Sequence, residues 1–455
     1  MQQKKIKAIL STILLLCSIT MHAQSNNSAE NTDTTRIDLN NLTVVTDKAI
    51  ANYDKPLSAL HLDYISDKDS IKFDVPESMM LNIDSLMNNW QSRTLLQMLE
   101  GDTTCEAQPV NDSIYADRLD RLPSIIEMTY NDVTKQFIER YANRHRRLVS
   151  NMLGLSAFYM PMIESALDSY NMPQELKYLP IIESAFNPKA VSRVGAKGLW
   201  QFMFQTGKHY GLKANSYIDE RFDPLKSTHA AIRYLRDLYK FFQSWDLAIA
   251  AYNCGPGNVK KAIIRSGGKT NFWQIYRFLP RETRGYIPAF IAANYIMNYY
   301  EEHGIVPMQP TLPIATDTVH VNKNLHFSQV SELCDIELDA IRAMNPQYIR
   351  DIIPGKSETC VLRLPNETIT NLLNLGDSVY KHKEDVYFPS TQLAQLEKGM
   401  KVNDGGRGTG TRHKVRNGET LSTIARKYGV SVKQIMKANG MKNTNIRAGR
   451  YINIY

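Results

Sequence analysis

Cysteine is scarce in this chain. There are five in 455 residues, and one of them, Cys17, lies in the leading apolar run. The other four, Cys105, Cys254, Cys334 and Cys360, show neither the paired spacing nor the histidine neighbours of a zinc site. No metal and no cofactor is therefore expected. Cys334 and Cys360 share one short segment and are the candidate pair for a disulfide, with two separate buried thiols as the other reading. Long hydrophobic runs are also missing: after Ile9–Ile19 nothing is long enough to span a bilayer. That run follows Lys4, Lys5 and Lys7 and ends in Met21-His22-Ala23 before Gln24. The three parts together read as a secretory signal over residues 1–23, in preference to a buried helix or a retained anchor. Leu16 stands before Cys17 where a lipoprotein signal carries Gly, Ala or Ser, which argues against lipid attachment. Strand signals are nearly absent from residues 114–305.

Helical periodicity fills that strand-poor region. Tyr159, Ile163, Leu167 and Tyr170 recur on one helix face, and Asn171 offers a stop before Pro173. Asp223 is placed to cap a helix beginning at Pro224, with Ala231, Tyr234, Leu235 and Leu238 as its apolar stripe. Trp245–Asn253 reads as a short helix broken at Gly255-Pro256-Gly257, and residues 281–303 as a long one bent at Pro288. Residues 24–113, polar and acidic, read as a loosely ordered leader. Beyond a proline-marked linker, residues 316–365 show short β-like ends around helical centres, and 366–412 read as a connector ending in a glycine-rich tether. The last 43 residues, 413–455, read as a small α+β unit of order βααβ. They carry nine basic side chains against Glu419, although the whole chain has a formal charge of only +8. Such a module suits an anionic polymer, and export argues for cell-wall material rather than nucleic acid.

The chemistry gathers in three stretches. Ile181-Ile182-Glu183-Ser184-Ala185-Phe186 ends a helix with a carboxylate beside an aromatic ring. Desolvation there would raise the pKa of Glu183, as a general acid for a glycosidic oxygen requires. Taken alone, a solvated terminal glutamate is the better reading. Gly195 to Met203 follows, in which the glycines allow tight backbone, Gln201 can hold a sugar amide or hydroxyl, and Met203 supplies an adaptable wall. Trp200 and Phe202 are expected in the core. Ala251-Tyr252-Asn253-Cys254-Gly255 then offers a phenol and a two-sided amide, and Glu282-Thr283-Arg284-Gly285-Tyr286 a further carboxylate and phenol. Cys254 is expected to be a small buried residue, and Glu164 and Glu175 to be solvated helix positions.

In this order and spacing, the three stretches resemble the soluble lytic transglycosylase family, which has a goose-type lysozyme-like fold. The likeness covers roughly residues 120–305. Residues 413–455 resemble a LysM module through Val415 to Leu421, Ile424-Ala425, Ile435, Asn439 and Ile446. Residues 316–365 look like a worn second copy with Ile341, Asn345 and Leu364 in matching places, but Asn322-Lys323-Asn324 replaces the opening motif. The resemblance implies a mainly α lysozyme-like catalytic domain followed by small α+β LysM modules. It implies that Glu183 protonates the bond between N-acetylmuramic acid and N-acetylglucosamine, then removes the C6 hydroxyl proton so that a 1,6-anhydro ring closes. Ser184, Gln201, Met203, Tyr252, Asn253 and Tyr286 would line the groove, and Glu282 would cap a helix or orient a neighbour. The expected partner is the peptidoglycan glycan strand, at the wall or the outer membrane. A water-using muramidase and a non-catalytic wall-binding protein are the alternatives.

Overall fold

The computed structural model describes residues 73–80, 110–309, 312–313, 315–389, 411–428, 430, 432–441 and 443–454. The expected signal, Cys17, Cys105, most of the leader and most of the tether lie outside the described residues.

Helices dominate residues 112–303. Arg146–Ser169 is a 24-residue helix, and Asn171 beyond it takes a left-handed φ of 51°, stopping the helical path as expected. Asp223 accepts from the Lys226 backbone N–H and so caps Pro224–Phe242. Ser244 does the same for Trp245–Cys254 through Leu247. The innermost helix is Tyr286–Asn298, buried at every position from Tyr286 to Met297. Apolar residues all round one helix mean that neighbours cover every face.

The long helix expected over 281–303 is broken, and not at Pro288. Arg281–Arg284 and Tyr286–Asn298 are separate helices, with a final 3₁₀ turn at Glu301–His303. Pro288 stands third in its helix, where a backbone N–H has no intrahelical partner to lose, so it causes no bend. The break falls at Gly285. A Cβ there would lie 2.3 Å from the Asp74 carbonyl oxygen. That close approach orders residues 73–80, the described part of a leader read as loosely ordered with a few short helices. Glu77–Met80 forms a 3₁₀ turn, Met79 is fully buried, and the Ser78 hydroxyl donates to the Ile182 carbonyl at 2.5 Å, one residue before Glu183.

A second core lies in residues 312–388. Thr316–Val321 pairs antiparallel with Cys360–Pro365, and Asn324–His326 with Ile352–Pro354, around the helices Phe327–Cys334 and Leu338–Met344. Its core runs on through Leu372, Val379 and Phe388, so residues 366–388 belong to this unit rather than to a connector. Cys334 and Cys360 are free thiols, so the candidate disulfide is not formed. Cys360 is instead buried in a strand opposite Val321, where burial pushes its thiol pKa up to about 11.

Residues 411–454 form the expected βααβ unit, with Thr411–Lys414 paired antiparallel to Tyr451–Ile454 around the helices Leu421–Tyr428 and Val432–Ala438. One device recurs in both modules. The Asn439 amide donates to the Ile435 and Asn453 carbonyls and accepts from the Asn453 N–H. Asn345 makes the same three bonds with Ile341 and Arg363. Each asparagine thus ties a helix end to the closing strand, which physically supports reading 316–365 as a copy of the same module.

Candidate active site

Glu183 stands one residue before the end of the helix Leu179–Ser184. The chain leaves that helix through two non-glycine residues in left-handed backbone, Ala185 at φ 50° and Phe186 at φ 58°. Such backbone is costly and must be held by its surroundings. Here Phe186 is fully buried, and the Ala185 N–H returns to the Ile181 carbonyl at 2.9 Å.

Glu183 keeps some surface toward solvent, yet its carboxyl is embedded among protein groups. Burial raises its pKa from 4.5 to about 7, opposed by a hydrogen bond from the Tyr286 hydroxyl and assisted by the negative charge of Glu282. Glu282 itself is exposed. The phenols of Tyr252 and Tyr286 are both held well above their usual pKa, chiefly by burial and next by the Glu183 charge, so both remain neutral donors. Asp246 also reaches about 7 through burial, but it lies in the first turn of Trp245–Cys254, at the opposite end from Asn253.

The loop from Gly195 to Met203 is held beside the helix end that carries Glu183 by hydrogen bonds from several elements. The Tyr252 hydroxyl donates to the Trp200 carbonyl at 2.8 Å, and the Trp200 indole N–H to the Thr228 hydroxyl at 2.8 Å. The Ser184 hydroxyl lies 2.9 Å from the Leu199 carbonyl and 3.0 Å from that of Pro180. Ser184 is therefore buried beneath the loop rather than presented to a groove. The Gln201 amide nitrogen donates to Gly198 at 2.8 Å and to Ala190 at 3.3 Å, while Met203 is 43% exposed at the rim. Asn253 accepts from the Thr283 hydroxyl at 2.8 Å, joining the second and third motif stretches. Trp200 and Phe202 are core residues as expected.

Three residues escape sequence reasoning. Arg221 clasps Asp219 at 2.7 Å and approaches the Gly195 and Phe202 carbonyls, and Lys197 reaches Asp219 at 3.1 Å. All three charges would ordinarily be assigned to solvent. The dense run Asp219-Glu220-Arg221-Phe222-Asp223 was the available signal. The same segment enters the second core. Tyr217 and Ile218 are buried there, and the Asp219 and Ile349 N–H groups donate to the Gln347 and Tyr217 carbonyls at 2.9 and 3.0 Å. Glu175 is likewise not a solvated position: it is buried and accepts the Ile125 and Ile126 N–H groups. Cys254 is half-buried.

A helical domain followed by small α+β modules, with a buried glutamate at a helix end, has the build of a lytic transglycosylase. Residues 160–275 match the family model Transglycosylase SLT domain, 315–381 the Lytic transglycosylase MltD, LysM-like domain, and 413–454 the LysM domain. The chain is 30% identical over 328 residues to membrane-bound lytic murein transglycosylase D of Escherichia coli (strain K12), covering 71% of this chain and 69% of that protein. It is 33% identical over 141 residues to the soluble lytic murein transglycosylase of the same strain, covering 30% of this chain and 21% of that one. The solved 70 kDa soluble lytic transglycosylase of Escherichia coli overlaps 50% of this chain and 44% of its own, with TM-score 0.30 and 20% identity. The chain belongs to the family of membrane-bound lytic murein transglycosylase D.

Proposed function

We propose that this enzyme cuts the β-1,4 bond between N-acetylmuramic acid and N-acetylglucosamine in peptidoglycan, with Glu183 as both acid and base, and leaves 1,6-anhydromuramic ends. One observation carries the reading: the Glu183 carboxyl has a pKa near 7, set by burial, and a tyrosine hydrogen-bonded to it. Near neutral pH such a group is protonated often enough to give a proton to the glycosidic oxygen and basic enough to take one back. The substrate acetamido group stabilises the sugar cation. Glu183 then accepts the C6 hydroxyl proton as O6 closes on C1. Atoms balance without water. Gln201, Met203, Tyr252, Asn253 and Tyr286 line the glycan groove, and Ser184 holds its floor. The LysM module of residues 413–454 holds the enzyme to the wall, which places it in the cell envelope after export by residues 1–23, at the wall or the outer membrane.

Mass analysis of digested sacculi tests the reaction. New muramic ends should be one water lighter than reducing ends, and reducing ends alone would make the enzyme a hydrolase. Tyr286→Phe tests the pH setting. The phenol favours the charged carboxylate, so its removal raises the Glu183 pKa. The acid step needs the protonated form, so the alkaline limb of the pH–rate profile should move to higher pH while the maximal rate falls. An unmoved limb would show that Tyr286 does not set the proton affinity.

A further inference from the structure

Two weak joints in the backbone carry the candidate acid and its hydrogen-bond donor. Glu183 lies in a helix of six residues, Leu179–Ser184, and Tyr286 follows one of four, Arg281–Arg284. Helices this short do not hold themselves and depend on what packs against them. The Phe186 N–H, which a continued helix would send to the Ile182 carbonyl, goes instead to the Pro180 carbonyl at 3.3 Å. At the second joint the helical path breaks at Gly285, immediately before Tyr286–Asn298 begins.

Residues 73–80 meet both joints. The Ser78 hydroxyl donates to the Ile182 carbonyl at 2.5 Å, one residue before Glu183. The Asp74 N–H donates to the Arg281 carbonyl at 3.0 Å. The Asp74 carbonyl oxygen lies so near Gly285, one residue before Tyr286, that a Cβ there would come within 2.3 Å of it. The segment is fastened toward both ends. Met79 is fully buried in the core of the catalytic domain, and the Phe73 ring lies 4.9 Å from that of Phe137. Its charged groups turn outward, Asp74 toward Arg281 at 3.4 Å and Glu77 toward Arg193 at 3.7 Å, with all four side chains more than half exposed. What meets the two joints is therefore neutral: a hydroxyl and backbone.

We propose that residues 73–80 are a positioning strap: by gripping the Ile182 carbonyl and the Gly285 backbone at once, they fix the separation across which the Tyr286 hydroxyl meets the Glu183 carboxyl. The inference rests on the function proposed above, in which that carboxyl moves the proton. The strap acts through the placement of Glu183, so its loss falls on kcat rather than on KM.

The test compares the full chain with Ser78→Ala, which removes one hydroxyl, and with Met79→Ala, which removes the buried anchor. Ser78→Ala keeps that anchor, so it remains informative even if Met79→Ala fails to fold. Initial rates of anhydro-end release from soluble peptidoglycan strands are followed against substrate concentration and pH. Each variant should lose about tenfold or more in kcat with KM within about twofold, because small displacements of a reacting group are costly. The hydrogen bond from Tyr286 lowers the Glu183 pKa. Loosening it raises that pKa, so the alkaline limb of the pH–rate profile should move to higher pH. A loss of folded protein alone would lower the rate and leave the limb in place. In a Tyr286→Phe background neither substitution should move the limb further. Unchanged kcat, an unmoved limb, a limb moved to lower pH, or a further shift in the Tyr286→Phe background would each overturn the inference. Reducing ends from the wild type would instead overturn the proposed reaction, while the comparison of kcat and pH profiles would still decide the role of the strap.

Discussion

Glu183→Gln should lower glycan cleavage by roughly a thousandfold or more, in line with the loss of a positioned acid that also serves as the base. The same substitution should make the protein more stable at neutral pH. In the folded chain Glu183 has its pKa raised from 4.5 to about 7. A carboxyl with a raised folded pKa costs the native state nothing below pH 4.5, where it is protonated whether folded or not. The cost grows between 4.5 and 7 and is constant above. At about 1.4 kcal/mol per pKa unit it is on the order of 3 kcal/mol at pH 7 and beyond. Glutamine has nearly the same shape and no charge to desolvate. Thermal melts of the two proteins should therefore coincide near pH 4 and separate near pH 8, with the glutamine variant melting higher. Retained digestion of sacculi by the variant would remove Glu183 from the mechanism. Melting curves that coincide at both pH values would mean that its carboxyl is solvated. Binding to isolated walls should be unchanged, because the LysM module of residues 413–454 has a core of its own.

The candidate acid was legible because its motif is local. Glu183 at a helix end, a glycine-bearing loop, and the tyrosine and asparagine before Gly255 each fall within a few residues, and their order carried the family resemblance. Helix caps at Asp223 and Asn171 were legible for the same reason. Pairings remote in sequence were not. Glu175 reads as a solvated helix residue until Ile125 and Ile126, about fifty positions earlier, are seen to need an acceptor. Segment 73–80 has no periodicity of its own, and its order comes from packing beside Ile182 and Gly285. Asp219, Lys197 and Arg221 look like surface charges because nothing in their spacing reveals that they face one another. The free thiols at Cys334 and Cys360 make the same point in reverse: proximity along the chain suggested a bond that the strand register does not make.

Gly198→Ala should be the most damaging single methyl group in the catalytic domain. Gly198 has φ +83°, and a Cβ there would fall 1.8 Å from the Arg221 carbonyl oxygen and 2.8 Å from its carbon. Backbone cannot yield as a flexible side chain can, so either the loop or the Arg221 segment must move. Gly195 makes the control, since its φ is +88° and nothing lies within 4 Å of its Cβ position. The two alanine variants share the backbone strain, about 1–3 kcal/mol, and only the first adds the collision. Movement of the loop would pull the Trp200 carbonyl from Tyr252 and the Leu199 carbonyl from Ser184, the groups that flank Glu183. A displacement of about 1 Å at the reacting groups costs about a hundredfold in rate. Gly198→Ala should therefore lose about that much in kcat/KM on sacculi, while Gly195→Ala stays within a few-fold. Because Arg221 is tied through Asp219 to Gln347 of the second module, hydrogen exchange should show the same Gly198 variant loosening the Tyr217–Asp219 contact with that module. Equal, mild effects at both glycines would mean that the loop is not braced by Arg221. The catalytic loop and the first LysM-like module would then be neighbours without being coupled.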